Sequence, residues 1–219
     1  MKNKTKKNVC ISVIFLITFV LWTVLLKFVD VDAIGPKGSS VGFATINGYF
    51  HSLTGVNFTL YNITDWLGLV PIAVATCFAF LGLLQWVRRK NILKVDFTIL
   101  ALGAFYIVTI CAYIFFEAYV VNYRPVLING YLEVSYPSST TLLVMCIMPT
   151  AIMQFSFRIK NRFFQIATST LVCIFISFMV IGRMISGVHW LSDIIGGILF
   201  STGVVTLYYA VCKPHLTCK

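Results

Sequence analysis

Charge is what this sequence has least of. Asp, Glu, Lys and Arg make up 11% of its 219 residues, and only seven are acidic. A soluble domain carries roughly one quarter, so a water-exposed globule is excluded. Histidine occurs three times, at His51, His189 and His215. The seven cysteines fall mostly inside apolar runs, without the spacing of a metal site or a disulfide framework. What fills the chain instead is apolar: 59% hydrophobic residues and a mean hydropathy of +0.91, the composition of an integral membrane protein. The net charge of +10 does not mark a nucleic-acid binder, because the basic residues gather at the ends of apolar runs.

Apolar runs of about 20 residues, enough to cross a roughly 30 Å hydrocarbon core, recur along the sequence. Spans are expected at 9–28, 66–87, 97–118, 139–157, 163–182 and 190–212, within a single domain covering 1–219. The first run is long for a signal-peptide core and no small-x-small site closes it, so it reads as an uncleaved span. Pro149 is expected to bend the fourth. Residues 30–65 form the longest connection and are expected at the membrane surface. Lys2, Lys4, Lys6, Lys7, Arg88, Arg89, Lys90, Lys94, Arg158, Lys160, Arg162, Lys213 and Lys219 all fall on one side of this layout. The other side keeps Lys37, Arg124 and Arg183, with Lys27 at its border. The positive-inside rule makes the first side cytoplasmic. The expected fold class is an all-α membrane protein of six transmembrane helices with both termini cytoplasmic. A bacterial cell membrane is the expected location, with any site near Arg124 and Arg183 facing outward.

Polar residues that go against that bias are functional candidates. Gly182-Arg183-x5-His189-x3-Asp193 puts an arginine, a histidine and an aspartate within twelve residues. On a helix His189 and Asp193 would share a face, so the carboxylate could accept from one ring nitrogen and leave the other lone pair free. Such a histidine is a candidate nucleophile or base. Arg183 and Arg124 could clamp phosphate or carboxylate oxygens. Ser138, Ser139 and Thr140 begin the fourth span, where free N–H groups and the helix dipole favour an anion. The three segments together describe a phosphate-sized anion site with a nucleophile.

These segments resemble the phosphatidic acid phosphatase type 2 superfamily, whose motifs are KxxxxxxRP, PSGH and SRxxxxxHxxxD in that order. Here they read Glu117-x6-Arg124-Pro125, Pro137-Ser138-Ser139-Thr140 and Gly182-Arg183-x5-His189-x3-Asp193. The resemblance covers residues 117 to 193, and its third motif is the most specific. It implies a phosphatase-type helical bundle in which His189 attacks phosphorus to give a phosphohistidine, Asp193 orients it, and Arg124 and Arg183 hold the phosphoryl oxygens with Ser138, Ser139 and Thr140. It implies no metal and no cofactor.

Three positions depart from the motifs. Thr140 stands where the family has its general-acid histidine, and roughly 10²- to 10⁴-fold in rate rests on such a group. Glu117 replaces a phosphate-binding lysine, and Gly182 replaces a serine. A substrate with its own good leaving group would need less acid; otherwise Glu117 or His51 could stand in. Glu117 also reads as an ion-pair partner of Arg124. The expected function is metal-independent hydrolysis of a lipid phosphate, or of a polyprenyl or other lipid diphosphate, at the extracytoplasmic face. The alternatives are a lipid phosphotransferase using the same His189, or a catalytically impaired phospholipid-phosphate binder. The bilayer and a phosphorylated lipid are the expected partners, and nucleic acid is not.

Overall fold

The computed structural model describes residues 2–216 and is helical almost throughout. α1 spans Lys2–Phe28, α2 Ala44–Thr54, α3 Phe58–Leu67, α4 Leu69–Arg89, α5 Phe97–Ala118, α6 Ser139–Arg158, α7 Arg162–Ile185 and α8 Leu191–Leu216. Six stretches among the described residues are long and apolar enough to cross a bilayer: Thr5–Phe28, Phe58–Arg89, Phe97–Ala118, Ser139–Arg158, Arg162–Ile185 and Leu191–Pro214. The chain is an integral, multi-pass membrane protein. α6 runs on through Pro149. Residues 30–65 hold α2 and most of α3, and α3 passes through Gly68 into α4. α3 starts where it does because the Asn57 side chain caps it, accepting from the Leu60 N–H at 2.9 Å.

α6 and α8 form the centre; α8 packs on α1, α5 and α6, while α4 and α7 pack on α6. In lipid, moving a leucine from acyl chains to another leucine gains little, so helices associate through small residues and buried hydrogen bonds. The outer faces accordingly expose Ile14, Ile17, Val20 and Leu21 on α1 and Leu171 and Ile174 on α7. The inner faces show the opposite chemistry. Ser12 Oγ donates to the Gly203 carbonyl at 2.7 Å, and Ser201 Oγ to the Leu142 carbonyl at 3.2 Å. A Cβ on Gly203 would lie 2.8 Å from Leu16, so glycine is what lets α1 and α8 approach.

The ends of α1, α5 and α7 meet the starts of α6 and α8 at one pole. Trp22 Nε1 donates to the Ser192 carbonyl at 3.1 Å, and Lys27 Nζ to the Val120 carbonyl. At the opposite pole Asp96 pairs with Arg89 at 3.0 Å and Arg158 at 3.9 Å and takes a hydrogen bond from Gln85. The first pole carries the site.

Candidate active site

Between α5 and α6 the chain folds back on itself. Isolated bridges pair Tyr123 with Val134 and Ile128 with Tyr131. At the tip Asn129 and Gly130 have φ of 50° and 82°, the left-handed pair that a two-residue hairpin turn demands. The Arg124 N–H therefore donates to the Glu133 carbonyl, and the Ser135 N–H to the Asn122 carbonyl, each at 3.0 Å. One hairpin thus delivers Arg124, Glu133 and Ser135 to the same pole.

The turn from α7 to α8 is equally constrained. Gly187 has φ of 66°, and a Cβ there would lie 1.7 Å from the Gly55 carbonyl oxygen, so the α2–α3 loop presses directly onto it. The Asn57 N–H donates to the Ser186 carbonyl at 2.9 Å across that contact. α8 begins only at Leu191, so His189 sits in the turn before it. Asp193, in the first turn, reaches back to accept the Trp190 N–H at 3.0 Å, one half of a capping box. Trp190 Nε1 ties the turn to the hairpin through the Tyr123 carbonyl, at 2.7 Å.

His189 and Asp193 are both buried, but not bonded as a helical i, i+4 pair. Ser135 stands between them: its Oγ lies 3.0 Å from His189 Nδ1 and 2.5 Å from Asp193 Oδ2. His189 Nε2 is buried without a partner. The imidazole lines a cavity of about 480 Å³ with Arg124, Glu117, Glu133, Ser139 and Tyr113. Burial first, then the charges of Arg124 and Arg183, hold the His189 pKa well below the ordinary 6.5, so the ring is neutral at neutral pH.

The two arginines come from different elements and meet over one ring. The guanidinium of Arg183 lies 4.8 Å from the centre of the Tyr61 ring and that of Arg124 5.6 Å from it. Arg183, almost wholly buried, donates to Asp65 Oδ1 at 2.6 Å and to the Thr140 hydroxyl, leaving Nε without a partner. Arg124 Nε lies 3.2 Å from Glu133 Oε2 as an ion pair without hydrogen-bond alignment, and Nη1 has no partner. The carboxylate beside Arg124 is thus Glu133. Glu117 lines the cavity, and among the described residues the only ion pair of Arg124 is with Glu133.

The second-motif residues divide by role. The Ser138 N–H donates to the Asp193 carbonyl at 3.2 Å and its Oγ accepts from Thr141, so Ser138 ties α6 to α8. Ser139 lines the cavity, and the hydroxyl of Thr140 is engaged by Arg183. Gly182 has a packing reason: a Cβ there would lie 2.8 Å from Thr64 Cγ2, where α3 crosses α7. His51 packs on the Trp190 ring at 5.5 Å and is not part of the cavity lining. His215 has no described side chain. Reading the sequence missed Tyr61, Asp65, Asn122, Glu133 and Ser135. Only Glu133 and Ser135 had a local signal, since Asn129-Gly130 marks a hairpin that brings both to Arg124.

Arg124, with an unpartnered N–H group in the same cavity as a neutral imidazole, can offset the charge of an oxyanion that meets the ring's lone pair; Arg183 does not line that cavity but adds positive charge that is felt at the ring. The model of the PAP2 superfamily matches residues 117–215, from the end of α5 through α8. The fold is similar to that in the crystal structure of the first transmembrane PAP2 type phosphatidylglycerolphosphate phosphatase from Bacillus subtilis. The two align with a TM-score of 0.52 at 15% identity, covering 93% of this chain and 96% of that one. No curated protein matches the sequence.

Proposed function

We propose, from a PAP2-superfamily segment whose histidine and arginine share one cavity, that this protein is a membrane lipid phosphatase. His189 Nε2 attacks phosphorus, the bond to the leaving oxygen breaks, and the phosphoryl group passes to the ring as a phosphohistidine. Water then displaces Nε2, which recovers its lone pair, and inorganic phosphate leaves. Arg124 and Arg183 neutralise the phosphoryl oxygens, Ser139 at the start of α6 flanks them, and no metal takes part. Phosphoryl transfer is mostly positioning and charge stabilisation, which this set supplies. The observation that carries the reading is the buried, unpartnered Nε2 of His189 in the same cavity as Arg124. In this reading the pole faces away from the cytoplasm with both termini inside, which the excess of basic residues on the opposite side supports.

The position of the family's acid histidine is occupied by Thr140, whose hydroxyl accepts from Arg183 and serves to anchor that arginine. The leaving oxygen therefore departs with little help, which favours a lipid diphosphate, attacked at its terminal phosphorus and losing a lipid monophosphate, over a monoester that would have to lose an alkoxide. A phosphotransferase would use the same His189 with a lipid hydroxyl in place of water. The test is phosphate release by purified protein without added metal, offering a polyprenyl diphosphate and a lipid monophosphate side by side. The diphosphate is expected to turn over, with His189→Ala reducing the rate by at least about 10³-fold. No phosphate release from either, together with no phosphorylated acceptor when a lipid alcohol is supplied, would rule out phosphoryl transfer.

A further inference from the structure

We infer that Ser135 is a positioning residue that relays the Asp193 carboxylate to His189 and fixes the imidazole tautomer. The inference deepens the reading of His189 as a nucleophile and rests on it for its functional meaning. Its geometry stands separately, on three buried side chains in line: Asp193 Oδ2, Ser135 Oγ at 2.5 Å, and His189 Nδ1 at 3.0 Å from that hydroxyl.

Counting protons sets the direction. Asp193 accepts on both oxygens: Oδ2 from Ser135 and the Trp190 N–H, Oδ1 from Asn122 Nδ2 at 3.1 Å and Ser192 Oγ at 3.4 Å. It is an acceptor-only carboxylate. Ser135 has a single hydroxyl proton. If that proton pointed to His189, lone pairs of Ser135 and Asp193 would face each other at 2.5 Å. The hydroxyl therefore donates to Asp193 and must accept from the ring, so the proton of neutral His189 is on Nδ1. The lone pair is then on Nε2, the nitrogen without a partner in the cavity. When Nε2 bonds to phosphorus the ring becomes cationic and keeps its Nδ1 proton, and the charge is felt by Asp193 through the polarised hydroxyl. No proton changes owner; the relay works by orientation and polarisation.

The sequence could not offer this residue, because Ser135 is 54 positions from His189 and 58 from Asp193. It is 2% exposed, and its backbone N–H is held by the Asn122 carbonyl, so the backbone that carries the hydroxyl is fixed by the hairpin.

The experiment uses the full chain with ¹⁵N-labelled histidine, the His189 signals being identified by their loss in His189→Gln. The parent is expected to show a protonated Nδ1 and an unprotonated Nε2, and Ser135→Ala a mixture of tautomers. A parent ring protonated on Nε2, or a tautomer unchanged in Ser135→Ala, would overturn the relay. Turnover provides the second readout. Ser135→Ala should lower kcat by about 10²-fold with KM little changed, as loss of an orienting partner does. Combining it with Asp193→Asn should add almost nothing to Asp193→Asn alone; multiplied effects would mean that Ser135 does not act through Asp193. A parent with the Nδ1-protonated ring and no phosphoester turnover would support the relay and overturn the phosphatase reading.

Discussion

Placing a serine at position 182, as the superfamily motif that this segment resembles has it, should impair this protein. The Cβ of Gly182→Ser would sit 2.8 Å from Thr64 Cγ2, about 1 Å inside the carbon–carbon contact distance of roughly 3.5–4.0 Å. Thr64 has nowhere to turn: it is fully buried, and its hydroxyl donates to the Leu60 and Tyr61 carbonyls one turn back. The next neighbour, Leu60 Cδ1 at 3.6 Å, is in ordinary contact, so the clash is with a single methyl group. Relief comes by moving α3 off α7, and α3 carries both Tyr61 and Asp65, which hold Arg183. Overpacking of this kind is worth about 1–3 kcal/mol, equivalent to roughly 5- to 150-fold if it falls wholly on the arginine's placement. The assay is kcat/KM for phosphate release, with thermal unfolding measured in parallel. Thr64→Ser deletes the offending methyl and keeps the hydroxyl, so the double variant should recover most of the loss. Full activity in Gly182→Ser, or no recovery in the double variant, would refute the packing account of this glycine.

Three further outcomes follow from the geometry of this pole. Because the His189 pKa is held well below 6.5 by burial and by Arg124 and Arg183, the acid limb of kcat/KM should lie below that value once the substrate's own ionisation is corrected for; a limb at or above 6.5 would contradict a buried neutral ring. The sign for stability is the same: the folded ring binds fewer protons than the unfolded one, so its contribution is complete above about 6.5 and is lost as pH falls toward the depressed value, a dependence that His189→Gln should flatten. Gly187→Ala should prevent correct folding rather than tune activity, since φ of 66° and a carbonyl 1.7 Å from the new Cβ leave no compatible backbone; a well-folded variant by circular dichroism and gel filtration would contradict it.

The site shows why individual deviations from a motif need the surrounding packing to be understood. Gly182 is a glycine because α3 crosses there, and Thr140 serves as an anchor for Arg183. Glu133 takes up the place beside Arg124 that the sequence suggested for Glu117. Each deviation concerns a contact with a residue outside the motif, distant in the chain for Gly182 and Thr140 and across the hairpin for Arg124, and none could be evaluated from the motif alone.

The helices that cross the membrane were legible in the sequence because crossing is a property of one segment. A run of about 20 apolar residues satisfies its own backbone and matches the hydrocarbon thickness whatever lies beside it. Arg124, Arg183, His189 and Asp193 were legible for a related reason: so few charged residues occur in apolar surroundings that each one stands out. The sequence could not say how those four connect. A helical spacing suggested that Asp193 touches His189, but α8 starts two residues after His189, and the capping of Trp190 turns the carboxylate elsewhere. Ser135, Tyr61 and Asp65 are ordinary residues until a hairpin and α3 carry them to the site. Hydrogen bonds of about 3 Å depend on where segments meet in space, and only the packing of α3, the hairpin and the α7–α8 turn around one pole decides that.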